Sequence, residues 1–165
     1  MTLLEFSQLL YDSEFGTALR ESVYLFPLIE GLHLIGLAVS IGLLFFVDLR
    51  LLGWFLPQLP VVQLLHSLRP WLLGGFAVTF VSGLLLFVAT ASKIVVLPVF
   101  FYKLGFIALA GLNALWFERR WGRDVVVWGN AEVPPSPVRF AGAASLTLWS
   151  LVVIAGRLIP YLSYQ

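Results

Sequence analysis

Glu30 and His33 stand three residues apart inside an apolar run from Ser22 to Gly53, and Lys103 and Arg157 interrupt two later apolar runs. An imidazole in such a setting suits two tasks, ligating a haem iron and accepting a proton. A carboxylate one helical turn away can orient the ring or relay the proton. Lysine offers a point charge to a propionate or a quinone oxygen, and arginine a bidentate contact. The expected cofactor-binding set is therefore His33, Glu30, Lys103 and Arg157, with His33 the candidate iron ligand and a haem, porphyrin or quinone the candidate cofactor. No catalytic residue is assigned.

Charged side chains in hydrocarbon cost about 2.5–3.5 kcal/mol each on insertion scales, so they normally face the protein interior or a cavity. At about 100° per residue, Glu30, His33, Leu37, Ser40, Leu44 and Asp48 fall on one helical stripe. A rise of about 1.5 Å per residue puts His33 ~16 Å, Glu30 ~12 Å, Lys103 ~10 Å and Arg157 ~6 Å below the outer membrane edge. Ionisable groups from three helices thus converge in one half of the bilayer. The competing reading is structural: Glu30 pairs with Lys103 or Arg157, His33 bonds Ser150, Thr79 or a backbone carbonyl, and the set only fixes helix register.

His66 lies near the opposite edge, about 20 Å or more from His33 by helix rise, so one chain does not offer bis-histidine ligation. A haem would be five-coordinate, use another ligand or be shared between protomers. His66 reads as a surface residue. Asp48 and Arg50 read as an anchor whose side chains snorkel to water at the inner end of the first span, and Asn113 as a cross-link between helices. The absence of cysteine and the single methionine, Met1, remove disulfide, thiolate and Cu(I) chemistry. The net charge of +1 gives no argument for nucleic acid. No nucleotide loop, zinc motif or serine triad is present.

At 60% hydrophobic and 12% charged residues, the chain lies far outside soluble composition. The expected fold is all-α: an integral membrane four-helix bundle in one domain, residues 1–165, with a short amphipathic N-terminal surface segment over 1–21. Spans are expected at about 22–48, 70–91, 96–117 and 138–161. Pro70 suits the first turn of the second span, with 61–69 as a separate amphipathic lead-in. Residues 118–137 read as an ordered surface loop. Gly75, Thr79 and Gly83, spaced by four, and Gly36 with Ser40 predict close contact between the first two spans. No basic segment and cleavage site mark a signal peptide, so the first span is expected to be retained. Arg50, Arg69, Arg119, Arg120, Arg123 and Arg139 gather on one side, which marks it as cytoplasmic and places both termini outside. Tyrosines cluster at the outer end and Trp54, Trp71, Trp116, Trp121 and Trp128 at the inner end, as interfacial belts do.

The segments ESVYLFPLIEGLHLIGLAVSIGLLFFVDLRLLG, RPWLLGGFAVTFVSGLLLF and FYKLGFIALAGLNALWF resemble an uncharacterised family of small bacterial four-helix inner-membrane proteins, which implies location and topology. More distantly, His33 on one helix and Lys103 on another are similar to HemJ-type protoporphyrinogen oxidases and copper-resistance D-type membrane domains. In the former, a histidine and a lysine lie near a b-type haem or porphyrin, which implies those roles for His33 and Lys103. Two functions are therefore expected in order: a redox-associated cofactor binder, with electron transport as its setting, or a non-catalytic accessory subunit of a larger membrane complex. Partners are the lipid bilayer and a homo-oligomer or that complex. A proton-coupled transporter ranks third, since no inverted repeat is visible.

Overall fold

The computed structural model describes residues 2–163. Its helices are α1 (Leu3–Asp12), α2 (Glu14–Glu21), α3 (Leu25–Leu51), α4 (Val61–Ile94), α5 (Pro98–Phe117), α6 (Val125–Trp128) and α7 (Ser136–Ser163). No strand occurs among the described residues. Four helices, α3, α4, α5 with the turn that extends it, and α7, are long and apolar enough to cross a membrane.

The acidic N-terminal segment folds as two helices, not one. A capping box starts α1: the Thr2 hydroxyl accepts from the Glu5 amide at 3.2 Å while the Glu5 carboxylate accepts from the Thr2 amide at 2.7 Å. Ser13 then ends α1 and caps α2, its hydroxyl donating to the Leu10 carbonyl and accepting from the Gly16 amide. Both helices pack on α4, burying Ser7 and Leu19, and leave Leu3, Leu4, Phe6, Leu9 and Phe15 exposed. The Arg20 guanidinium locks the pair by lying 3.8 Å from the centre of the Tyr11 ring.

Helix α4 begins at Val61 and runs through Pro70, where the sequence suggested a start. A mid-helix proline removes one backbone bond and normally costs about 3 kcal/mol. Here the preceding turns are held by packing: Val61 and Leu72 share a buried cluster with Val47, Leu51, Trp128 and Val138, flanked by Leu64, Leu65 and Leu68. Tertiary burial on both sides of the proline outweighs the local penalty.

The spans pack as α4 on α3, α3 on α7 and α7 on α5. The α3–α4 contact is the tightest. A Cβ added at Gly36 would lie 2.7 Å from the Thr79 hydroxyl, and one at Gly75 would lie 2.9 Å from the Ser40 amide nitrogen. The small residues expected to meet do meet, and backbone approaches backbone. Aromatic contacts close the remaining sides, with Phe76 against Trp149 at 5.0 Å and Phe87 stacked on Phe100 at 5.6 Å.

The end of the bundle that carries Asp48 and Arg50 departs from expectation. Asp48 and Arg50 do not snorkel; they are only 2% and 1% exposed. Arg50 donates through Nε to the Leu59 carbonyl at 2.7 Å, through Nη2 to Ala131 at 2.9 Å and through Nη1 to Glu132 at 3.3 Å. It thereby fastens the α3–α4 connection to the stretch before α7, and the Val61 amide adds a bond to the Gly129 carbonyl at 2.8 Å. Gly53 turns there at a φ of +76°, in the left-handed region that glycine tolerates best. The expected surface loop is ordered and mostly exposed, and it sends Trp128 into the buried cluster. It contains a π-helical turn, Glu118–Gly122, and α6, whose Trp128 is buried and donates to the Trp121 carbonyl instead of serving an interfacial belt. Trp54, Trp71 and Trp116 remain exposed.

Replacing Arg50 with methionine should destabilise the protein by about 2–4 kcal/mol, because three carbonyls lose a charge-assisted donor. Arg50→Lys should recover only part of this, since an ammonium lacks the planar fork. Thermal or SDS unfolding in detergent measures the difference, and an unchanged midpoint for Arg50→Met would refute the clamp.

Candidate functional site

His33 sits on α3 where that helix crosses α4, half-buried, with its Cε1 edge against Gly83. A Cβ at residue 83 would stand 3.1 Å from Cε1 and 3.5 Å from Nδ1, so the missing side chain is what seats the ring. Nδ1 lies 3.0 Å from the Thr79 carbonyl oxygen and 3.0 Å from the Ser82 hydroxyl. A carbonyl only accepts, so Nδ1 carries the hydrogen in this network. Ser82 agrees with that assignment, because its own hydroxyl donates to the Val78 carbonyl at 2.6 Å and leaves its oxygen free to accept.

The consequence is a defined tautomer. With Nδ1–H held by a backbone carbonyl, Nε2 of the neutral ring bears the lone pair, as in histidines that bind metals or take up protons. Among the described residues no protein group hydrogen-bonds Nε2.

Lys103 reaches the same region from α5. Its stem lies in a notch on α7 at Gly156, where an added Cβ would stand 3.4 Å from Nζ and 3.5 Å from Cε. Lys103 and Glu30 are both near enough to His33 for their charges to act on the imidazole. His33 is seated against α4 at Gly83 and Lys103 against α7 at Gly156. Arg157 does not join them: it is exposed, and its guanidinium lies 5.6 Å from the Tyr161 ring centre. Glu30 is exposed too, and among the described residues it forms no ion pair with Lys103 or Arg157. Ser150 is turned away from His33 and donates to its own Leu146 carbonyl.

Asn113 cross-links as expected, donating to the Ala141 carbonyl at 3.0 Å and joining α5 to α7. His66 is exposed. No group of three or more His, Cys, Asp or Glu residues that could hold a metal ion occurs among the described residues, so a multi-ligand metal centre has no donor set. Two apolar grooves of about 390 and 560 Å³ follow the α3–α4 seam; Ser82 lines the smaller, and neither includes His33 or Lys103.

Sequence reasoning missed Ser82, Gly83 and Gly156 as parts of the site. Gly83 carried a signal, its place in a small-residue series, but that signal pointed to helix contact and not to a ring.

Residues 18–162 match a family of unknown function. The chain belongs to that family, DUF6644. The DUF6644 match takes in all four long helices up to Leu162 and every residue of the His33 cluster, and it leaves α1 outside. No curated protein and no solved structure matches the chain. The likeness to HemJ-type oxidases and copper-resistance D-type domains thus gains nothing from these comparisons and rests on His33 and Lys103 alone.

Gly83→Val should displace the imidazole and cost about 1–3 kcal/mol through overpacking. Because the chain has two histidines, side-chain ¹⁵N spectra of histidine-labelled protein report it directly, with exposed His66 as internal reference. The His33 signals should show the Nδ1–H tautomer in the wild type and change in Gly83→Val while those of His66 stay in place. Identical spectra would reject Gly83 as the seat.

Proposed function

We propose that this is a small integral membrane protein that binds a redox-active cofactor of the lipid phase, a haem, porphyrin or quinone, at His33 and Lys103. The observation that carries this reading is the bare Nε2 of an imidazole whose other nitrogen is tied to the Thr79 carbonyl, with the Lys103 ammonium within electrostatic range. That nitrogen suits a haem iron or the hydroxyl proton of a quinol, and Lys103 suits a propionate or a quinone oxygen. Glu30, one turn from His33, serves to adjust the charge balance. Arg157 at the exposed edge meets an anionic group only if the ligand extends to the surface. A haem here would be five-coordinate within one chain or take its second ligand from another protomer, since His66 lies elsewhere. The histidine and lysine that mark HemJ-type proteins support the same assignment by resemblance.

The arginine distribution and the tyrosine-rich opposite end favour a bacterial inner-membrane location, multi-pass, with both termini on the periplasmic side. The second reading, an accessory subunit within a larger membrane assembly or homo-oligomer, is favoured by the open α3–α4 grooves. Their glycine-lined walls at Gly74 and Gly75 suit a neighbouring helix.

Visible spectra of the detergent-purified protein, oxidised and dithionite-reduced, with pigment and quinone extraction alongside, separate the two. A Soret band or a stoichiometric extracted quinone that His33→Ala abolishes, and that Lys103→Gln weakens about tenfold, or ~1.4 kcal/mol, supports cofactor binding. A protein that inserts normally, carries no pigment or quinone and loses only assembly in His33→Ala supports the accessory reading.

A further inference from the structure

Asp48 takes no part in the His33 cluster. The two residues share α3, but fifteen positions at about 1.5 Å each separate them by roughly 22 Å along the helix. Asp48 lies at the inner end, where α7 presses against α3: a Cβ added at Gly142 would stand 3.1 Å from the Asp48 carbonyl oxygen and 3.8 Å from its Cα. Its side chain is only 2% exposed. Ser145, one turn along α7, is the hydroxyl near enough to the carboxyl to act on it. Among the described residues the carboxyl's buried Oδ2 has no hydrogen-bond partner.

Among the described residues no cation balances this group. Arg50, two residues on, points its guanidinium to the carbonyls of Leu59, Ala131 and Glu132. On α7 the nearby charged residue, Arg139, is exposed. On α5 the polar residue at this level, Asn113, is committed to the Ala141 carbonyl. On α4, His66 is exposed and Arg69 pairs with Glu118 at 2.7 Å. An ionised carboxylate with a single hydroxyl nearby, out of water and without a counter-charge, carries a desolvation penalty of several kcal/mol even after relaxation. The neutral acid avoids it.

We propose that Asp48 is an intramembrane proton-binding site at the α3–α7 interface, holding a proton under the packed seam and separate from the His33 cluster. The step is a simple protonation: the carboxylate takes one proton from water, and the neutral acid keeps it because the charged form cannot be solvated at this seam. Ser145 and Gly142 then act as positioning residues.

Infrared difference spectroscopy tests this in the full-length protein in bilayers at neutral pH. The carbonyl stretch of a protonated carboxyl, shifted down in D₂O, should be present in the wild type, absent in Asp48→Asn and retained in Glu30→Gln. A wild-type spectrum without such a band overturns the proposal, as does a band that disappears with Glu30 and survives Asp48→Asn. If Asp48→Asn does not accumulate, carboxyl-¹³C aspartate labelling of the wild type decides the matter. The chain has three aspartates, and Asp12 and Asp124 are exposed, so only Asp48 is placed to give a label-sensitive protonated band. A band that the label fails to move refutes the assignment.

Discussion

Helices α3 and α4 lie closer together than side chains ordinarily allow, and this approach positions everything else in the molecule. In a bilayer the hydrophobic effect gives little drive for helix association, so van der Waals contact between backbones has to supply it. Gly36 against Thr79 and Gly75 against Ser40 provide that contact. The same crossing brings the Thr79 carbonyl within hydrogen-bond reach of a side chain on the neighbouring helix. The imidazole of His33 is oriented by backbone, which cannot rotate away as a side-chain partner could. A site built this way is held firmly at low cost in side-chain entropy.

The two ends of the bundle solve the burial of polar groups differently. Near the outer end, charged residues are distributed: Glu30 and Arg157 are exposed, Lys103 is half-buried, and only the imidazole is pinned. At the opposite end, Arg50 is buried and donates to loop carbonyls. This arrangement anchors a mostly exposed connecting segment, with its π-helical and irregular turns, to the core through Arg50 and Trp128.

Much of this was legible in the sequence, and the exceptions have a common cause. The four spans announce themselves by apolar length, and the α3–α4 seam by the spacing of Gly36, Ser40, Gly75 and Thr79. His33 and Lys103 stand out because ionisable groups are costly in hydrocarbon. What stayed hidden depends on contacts between residues distant in the chain. Arg50 looked like an anchor because its acceptors at Ala131 and Glu132 lie some eighty residues further on. Pro70 looked like a boundary because proline is a strong local signal, whereas Val61 and Leu72 are joined by a cluster drawn from four segments. Arg157 looked like a site residue because depth along a helix can be counted from sequence, while azimuth relative to a neighbour cannot.

Helix α4 spans thirty-four residues, about 51 Å at 1.5 Å per residue, against a hydrocarbon thickness of about 30 Å. It carries the N-terminal pair α1 and α2 near one end and the inner cluster near the other. The excess is about four turns, so the platform and the cluster are each seated on helix that the hydrocarbon need not cover.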